Sequence, residues 1–156
     1  MIEVNIPSYK KIYIENVVFD YNGTLAEGGR LIAGIKEKLV DISRLANIYI
    51  ITADTFGTVE ENFKDMDVEV KIISRENGTV DKLNFIRELG SYRTIAVGNG
   101  NNDTLMLRES TIGICVIGAE GLATKALLAS DIVVKDIRDL FEMIKDTSRI
   151  IATLRR

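Results

Sequence analysis

Short apolar runs alternate with polar stretches whose apolar residues recur at helical spacing, and this alternation continues along most of the chain. Val17-Val18-Phe19, closed by Asp20, predicts a buried strand over residues 16–20. Between 33 and 46, Ile35, Leu39, Ile42 and Leu45 fall on one helix face. The pattern then predicts strand 47–52, helix 55–66, strand 68–74 and helix 79–89, which places Leu83, Ile86 and Leu89 together. Strand 94–97, helix 102–109, strand 111–117, helix 119–129, strand 132–134 and a final helix 137–154 complete the series. Strands separated by helices of this length imply an α/β fold of three layers, Rossmann-like. Its sheet is mostly parallel, its crossovers right-handed, and helices cover both faces. Residues 1–6 and 11–15 flank Pro7-Ser8-Tyr9-Lys10 and read as a β-hairpin added to that core. Gly28-Gly29 marks either a mobile turn or a plain connector.

A chain of 156 residues fits one domain, taken as 1–156. With 46% apolar and 28% charged residues it reads as a folded globular protein rather than a disordered one. The net charge is −3, and the only basic cluster is the terminal Arg155-Arg156, so nucleic acid is not an expected partner. No apolar run reaches the length of a membrane span, and residues 1–6 lack the pattern of a secretory signal. The expected compartment is the cytoplasm; a homo-oligomer is left open.

Cys115 is the single cysteine and lies in the apolar run 112–117, which reads as a buried structural thiol. There is no histidine. That excludes Ser-His-Asp and Cys-His catalysis and a His-ligated zinc site. Chemistry must come from carboxylates, hydroxyls, amides and lysines, and an oxygen donor set favours magnesium.

Asp20 ends a strand and opens Tyr21-Asn22-Gly23-Thr24-Leu25, a loop at the carboxyl edge of a parallel sheet, where open α/β sheets place their sites. The string Asp-Tyr-Asn-Gly-Thr-Leu resembles the first motif of the haloacid dehalogenase superfamily. Its form is nearest to the phosphorylation domains of P-type ATPases. Thr52 at the end of the next strand, Lys82 in Thr79-Val80-Asp81-Lys82-Leu83, and Val97-Gly98-Asn99-Gly100-Asn101-Asn102-Asp103 follow in that superfamily's order. The last of these resembles the Gly-Asp-Gly-x-Asn-Asp loop, whose glycines are expected to permit a tight turn.

The resemblance implies a magnesium-dependent phosphohydrolase in which Asp20 attacks phosphorus and becomes an aspartyl-phosphate. Thr52, Lys82, Ala53 and Gly23 would hold the phosphoryl group. Asp20, the backbone carbonyl of Asn22, Asn99 and Asp103 would hold magnesium. Asn22 occupies the position of the family's second catalytic aspartate, and Asn99 that of a magnesium-binding aspartate. An amide does no acid–base work at neutral pH, so slow turnover, a preference for good leaving groups and weak magnesium affinity are expected. Asn22-Gly23 and Asn99-Gly100 are also expected to be prone to deamidation.

The intervals of about 27 residues before Thr52 and about 29 after it leave no room for a cap domain. An uncapped site implies a small phosphate ester or a phosphorylated macromolecule as substrate, with little discrimination. A catalytically weakened binding or regulatory module is the alternative. A receiver domain is disfavoured because residues 11–19 offer only Glu15 as an acid, and a dinucleotide fingerprint fails because position 103 is Asp.

Overall fold

The computed structural model describes all 156 residues. Strands β1 (Ile2–Ile6) and β2 (Lys10–Ile14) form the expected antiparallel hairpin. Their alternate residues Ile2, Val4, Ile6, Ile12 and Ile14 are buried. The remaining long strands are β3 (Asn16–Asp20), β6 (Asn47–Thr52), β7 (Glu69–Ile72), β8 (Thr94–Gly98), β9 (Ile112–Val116) and β10 (Ile132–Val134). They form one parallel sheet in the order β10-β9-β8-β3-β6-β7. The chain runs outward from β3 to β6 and β7, then returns to the other side of β3 for β8, β9 and β10. Strand order therefore reverses beside β3, and the crevice at its carboxyl end is where ligands bind in such sheets.

β3, β8 and β9 are buried at every position, which is why they read as continuous apolar runs rather than alternating ones. Alternate residues nonetheless serve different layers. Val17 and Phe19 of β3 pack with the hairpin and with α1 (Ile35–Ser43), α2 (Thr58–Phe63), α6 (Ile137–Lys145) and α7 (Ser148–Leu154). Phe19 stacks on Phe141 of α6 at 5.7 Å between centroids. Val18 faces the opposite layer with α3 (Gly78–Leu89), α4 (Thr104–Glu109) and α5 (Thr124–Ala129). That layer lies close to the sheet: a Cβ at Gly113 would come within 2.3 Å of the Leu107 carbonyl. By strand alternation Asp20 shares the face of Val18, toward α3 and α4.

The helix ends depart from expectation for local reasons. The Asp54 carboxylate accepts hydrogen bonds from Phe56 N and Thr58 Oγ1, so α2 begins only after this turn. The helix expected over 119–129 is confined to Thr124–Ala129, because Gly118–Gly121 closes a turn with Gly121 N donating to Gly118 O. The final helix divides in two at Asp146, whose Oδ1 accepts from Ser148 N and Oγ and starts α7 afresh. Gly28 and Gly29, with φ of 55° and 77°, form the two-residue turn of a further small hairpin, β4 (Ala26–Glu27) and β5 (Arg30–Leu31). Between β3 and β6 the chain thus holds only this hairpin and α1. No helix is long and apolar enough to cross a membrane.

Candidate active site

The central strand delivers Asp20 to the crevice with 7% of its surface exposed. Lys82, on α3, is 1% exposed and donates from Nζ to Asp20 Oδ1 at 2.6 Å and to Asp103 Oδ1 at 2.6 Å. An ammonium has three protons, so one remains for a ligand in the cleft. Thr24 Oγ1 lies 3.3 Å from Asp20 Oδ2 and 3.4 Å from Asn99 Oδ1 and can donate to either. Thr52 is buried at the end of β6; its hydroxyl oxygen accepts from Asp54 N at 3.1 Å, which leaves its own proton free to donate.

Burial, reinforced by the charge of Asp103, pushes the Asp20 carboxyl up to about 7 despite the opposing pull of Lys82 and Thr24. Burial is also the largest single influence on Lys82, acting against its charge. The attraction of Asp20 and Asp103, with their hydrogen bonds, outweighs it and raises the ammonium above its ordinary range. The pocket therefore holds one buried cation between two acids, a charge pattern suited to an incoming cation or to a dianion accompanied by one.

A cleft of about 330 Å³ is lined by Asp20, Asn22, Thr52, Ala53, Lys82 and Asn99, together with residues 73–76, 78 and 79 and Glu120. The structure thus brings six of the expected site residues around one space. Two others lie elsewhere. Gly23 N donates to Ala26 O at 2.8 Å, so its amide is committed to the loop and not to a phosphoryl group. Gly23 instead provides room, since with φ of 79° a Cβ there would sit 2.4 Å from Asn99 Nδ2. Asp103 is wholly buried and does not line the cleft. Its Oδ1 receives Lys82, and its Oδ2 receives Asn99 N and Gly100 N, both at 2.9 Å. It anchors the lysine and the loop rather than facing a ligand.

Two local expectations change as well. Neither Gly98 nor Gly100 has a positive φ, so the turn does not need their conformational freedom. Gly98 is required for space, as a Cβ there would meet Asp103 Cγ at 2.4 Å. The amides of both Asn-Gly pairs are also tied down. Gly23 N and Gly100 N are donated as described, and Asn99 Nδ2 donates to Gly121 O at 3.2 Å, which holds back the attack that deamidation requires.

No group of three or more His, Cys, Asp and Glu side chains is assembled in a way that could hold a metal ion. The oxygens available to a cation are those of Asp20 and Asn99, both touched by the Thr24 hydroxyl, and those of Asn22, which also lines the cleft. All are hard donors and carry a single carboxylate charge between them. The set fits magnesium, which retains several waters and uses one or two carboxylates.

The sequence motifs assigned no role to Thr24, although it lies within the first of them, and gave no sign of Arg75 and Glu120 on the cleft wall. Thr24 has its contacts only because the Asn99 loop folds beside it. Arg75 lines both the cleft and an adjoining recess of about 380 Å³, which is also lined by Tyr21, Asp54 and Thr58. Glu120 arrives from the loop after β9. No motif marks Arg75 or Glu120, because each is brought in by a loop whose path the apolar pattern does not define.

No family model matches the chain. An uncharacterised protein of Methanocaldococcus jannaschii is 46% identical over 80 residues, 49% of this chain and 86% of the relative. A soluble P-type ATPase-like phosphatase of the same organism is 25% identical over 137 residues, 86% of this chain. The match spans 50% of that phosphatase. Among solved structures, the 3-deoxy-D-manno-octulosonate 8-phosphate phosphatase of Moraxella catarrhalis, crystallised with magnesium, phosphate and the sugar, superposes with a TM-score of 0.66 at 19% identity. The match covers 91% of this chain and 94% of that one. The chain belongs to the family of the M. jannaschii protein it matches at 46%, and its fold is that of the haloacid dehalogenase superfamily.

Proposed function

We propose that this chain is a phosphohydrolase that works through an aspartyl-phosphate on Asp20 and requires magnesium. The observation that carries the reading is the Asp20–Lys82 pair, buried at the switch point of the sheet with Thr52 in the same cleft. Catalysis of phosphoryl transfer rests on positioning and charge neutralisation, and these residues supply both. Asp20 attacks phosphorus, the bond to the leaving oxygen breaks, and that oxygen departs with the electron pair. Lys82 offsets charge on Asp20 and, with its third proton, on a phosphoryl oxygen; the Thr52 hydroxyl holds a second. Water then attacks phosphorus, the bond to Asp20 breaks, and inorganic phosphate leaves. Magnesium, held by Asp20, Asn99 and the Asn22 carbonyl, would supply charge neutralisation across the nucleophile and the phosphoryl group.

Asn22 places an amide where a proton donor would help the leaving group. Without it the forward step relies on leaving groups that depart unprotonated, and a factor on the order of 100 in rate is forgone for alkyl esters. The cleft is open and has no covering domain in either interval flanking β6, so its substrate is a small phosphate ester or a phosphorylated macromolecule.

Incubation with para-nitrophenyl phosphate and magnesium tests the reading. Phosphate release and an intact mass increased by one phosphoryl group on Asp20 are expected, both lost in Asp20→Asn. Undiminished release by Asp20→Asn overturns it. The amides at 22 and 99 favour one second reading, a binding module that takes up phosphate without turnover. Phosphate protecting the fold while no ester is cleaved would select that reading.

A further inference from the structure

If water is to release phosphate from Asp20, a base must take its proton, and Asn22 cannot. The loop after β9 brings a carboxylate to the same cleft. Gly118 to Gly121 is a tight turn closed by Gly121 N donating to Gly118 O at 3.0 Å, with Ala119 and Glu120 at its tip. Both ends of the turn are fixed to the site loops. Gly118 lies against the motif that follows Asp20: a Cβ at 118 would stand 3.0 Å from Gly23 O. At the other end the Asn99 side chain donates to Gly121 O at 3.2 Å, and Ala123 N donates to Asn99 O at 2.9 Å. Glu120 itself is held from a third side, its Oε1 accepting from Gly28 N of the β4–β5 turn at 3.0 Å. Glu120 thereby lines the cleft that also holds Asp20, Asn22 and Lys82, and is open to the solvent from which the water must come.

We infer that Glu120 is the general base of the dephosphorylation step, a role resting on the aspartyl-phosphate reading above. Glu120 takes one proton from the attacking water as its oxygen bonds to phosphorus. The bond between phosphorus and the Asp20 oxygen breaks, and its electron pair returns to the Asp20 carboxylate. Inorganic phosphate leaves, and Glu120 passes its proton to solvent. Oε1 is oriented by the Gly28 amide, which leaves Oε2 for the water. Glu76 is the other exposed carboxylate on this wall, but no hydrogen bond fixes its side chain.

The same contacts allow a purely mechanical role, in which Glu120 only clasps the hairpin to the loop. Two substitutions separate them. Glutamine at 120 retains an acceptor for Gly28 N–H but cannot act as a base, whereas alanine removes both functions. Wild type, Glu120→Gln, Glu120→Ala and Glu76→Gln are mixed with para-nitrophenyl phosphate and magnesium, and the nitrophenolate burst, steady-state kcat and phosphorylated fraction by intact mass are read. For a base, Glu120→Gln and Glu120→Ala both lose kcat by on the order of 100-fold. Both keep the burst rate and accumulate phosphoenzyme, whereas Glu76→Gln does not accumulate it. Wild-type turnover in Glu120→Gln with loss confined to Glu120→Ala establishes the clasp and overturns the inference, as does phosphoenzyme accumulating in Glu76→Gln instead. The aspartyl-phosphate reading fails separately, if Asp20→Asn releases phosphate as fast as wild type.

Discussion

Gly98 and Asp103 share one volume: the space that a Cβ would take at Gly98 is filled by the Asp103 carboxyl, with Cγ 2.4 Å from the ideal position. Because Asp103 in turn holds Lys82 and two loop amides, a single methyl group is set against the whole charge arrangement of the cleft.

Gly98→Ala is therefore expected to lose about 1–3 kcal/mol of stability from overpacking and most of the phosphatase activity with it. Gly100→Ala is the control from the same loop. Its Cβ would meet the Asn102 side-chain oxygen at 2.8 Å, the movable end of an exposed residue, and its φ is −102°. Urea denaturation of the two variants should separate them by most of the Gly98 loss. Equal stability would mean that Asp103 has another place to go.

Thr24→Val removes the one hydroxyl shared by Asp20 Oδ2 and Asn99 Oδ1 while keeping the side chain's shape. Whichever of the two oxygens held the hydroxyl proton loses its donor in a buried place, and the expected cost is about 1–3 kcal/mol. Magnesium affinity should also change, since the hydroxyl orients the two oxygens offered to the ion. Thr24→Ser keeps the donor and should retain wild-type magnesium dependence. The test is a magnesium titration of activity for all three proteins, and identical curves would count against this orienting role.

The parallel α/β sheet was legible because β3, β8 and β9 are buried on both faces, so that, apart from the polar Asn16 and Thr94 at their starts, β3 and β8 run apolar up to the residues that lead into the site, and β9 is apolar throughout. Asp20, Thr52 and Lys82 were legible through their resemblance to the haloacid dehalogenase motifs, whose order they follow; the apolar pattern alone marked only the strand ends and the helix on which they sit. The helix ends were not. They are decided by side chains that bond the backbone, Asp54 before α2 and Asp146 before α7, and an acid in a polar stretch looks like any other acid until its partner is known. The orientation of Asp103 was hidden similarly. Its position after the Gly-Asn-Gly string suited a cation ligand, but its oxygens turned to Lys82 and to the loop's own amides.

In chelator, the Asp20 carboxyl makes stability fall as pH rises. Its folded value is pushed to about 7 from an ordinary value of 3.8, chiefly by burial. Between those values the native state keeps a proton that the unfolded chain has released, so unfolding becomes easier with each step up in pH. The penalty is absent below about 3.8 and fully developed above about 7. Asp20→Asn carries no such charge, so it should match wild type in acid and exceed its melting temperature at pH 8. Magnesium favours the ionised carboxylate and should raise the wild-type melting temperature at pH 8 by mass action, with a smaller rise in Asp20→Asn. Thermal melts with chelator and with magnesium measure both. Wild-type stability that is flat or increasing across this interval, relative to Asp20→Asn, would refute the account.

Asn22→Asp is the substitution most open to a gain of activity. The residue is exposed and lines both the main cleft and the recess beside it, so a carboxyl there displaces no buried neighbour. It would restore a proton donor on the side from which a leaving group departs. The benefit depends on the leaving group. An alkyl ester departs as a strongly basic oxyanion unless protonated, whereas a nitrophenolate needs little help. Expected outcomes are a rise on the order of 100-fold in the rate with glycerol phosphate and a much smaller one in the phosphorylation burst with para-nitrophenyl phosphate. Combining it with Glu120→Gln extends the argument, because an aspartate at 22 could then serve as base in the second step as well. Asn22→Asp should restore turnover to Glu120→Gln and dissipate its accumulated phosphoenzyme. Equal acceleration of both esters would show that the added charge acts through magnesium affinity rather than through proton transfer.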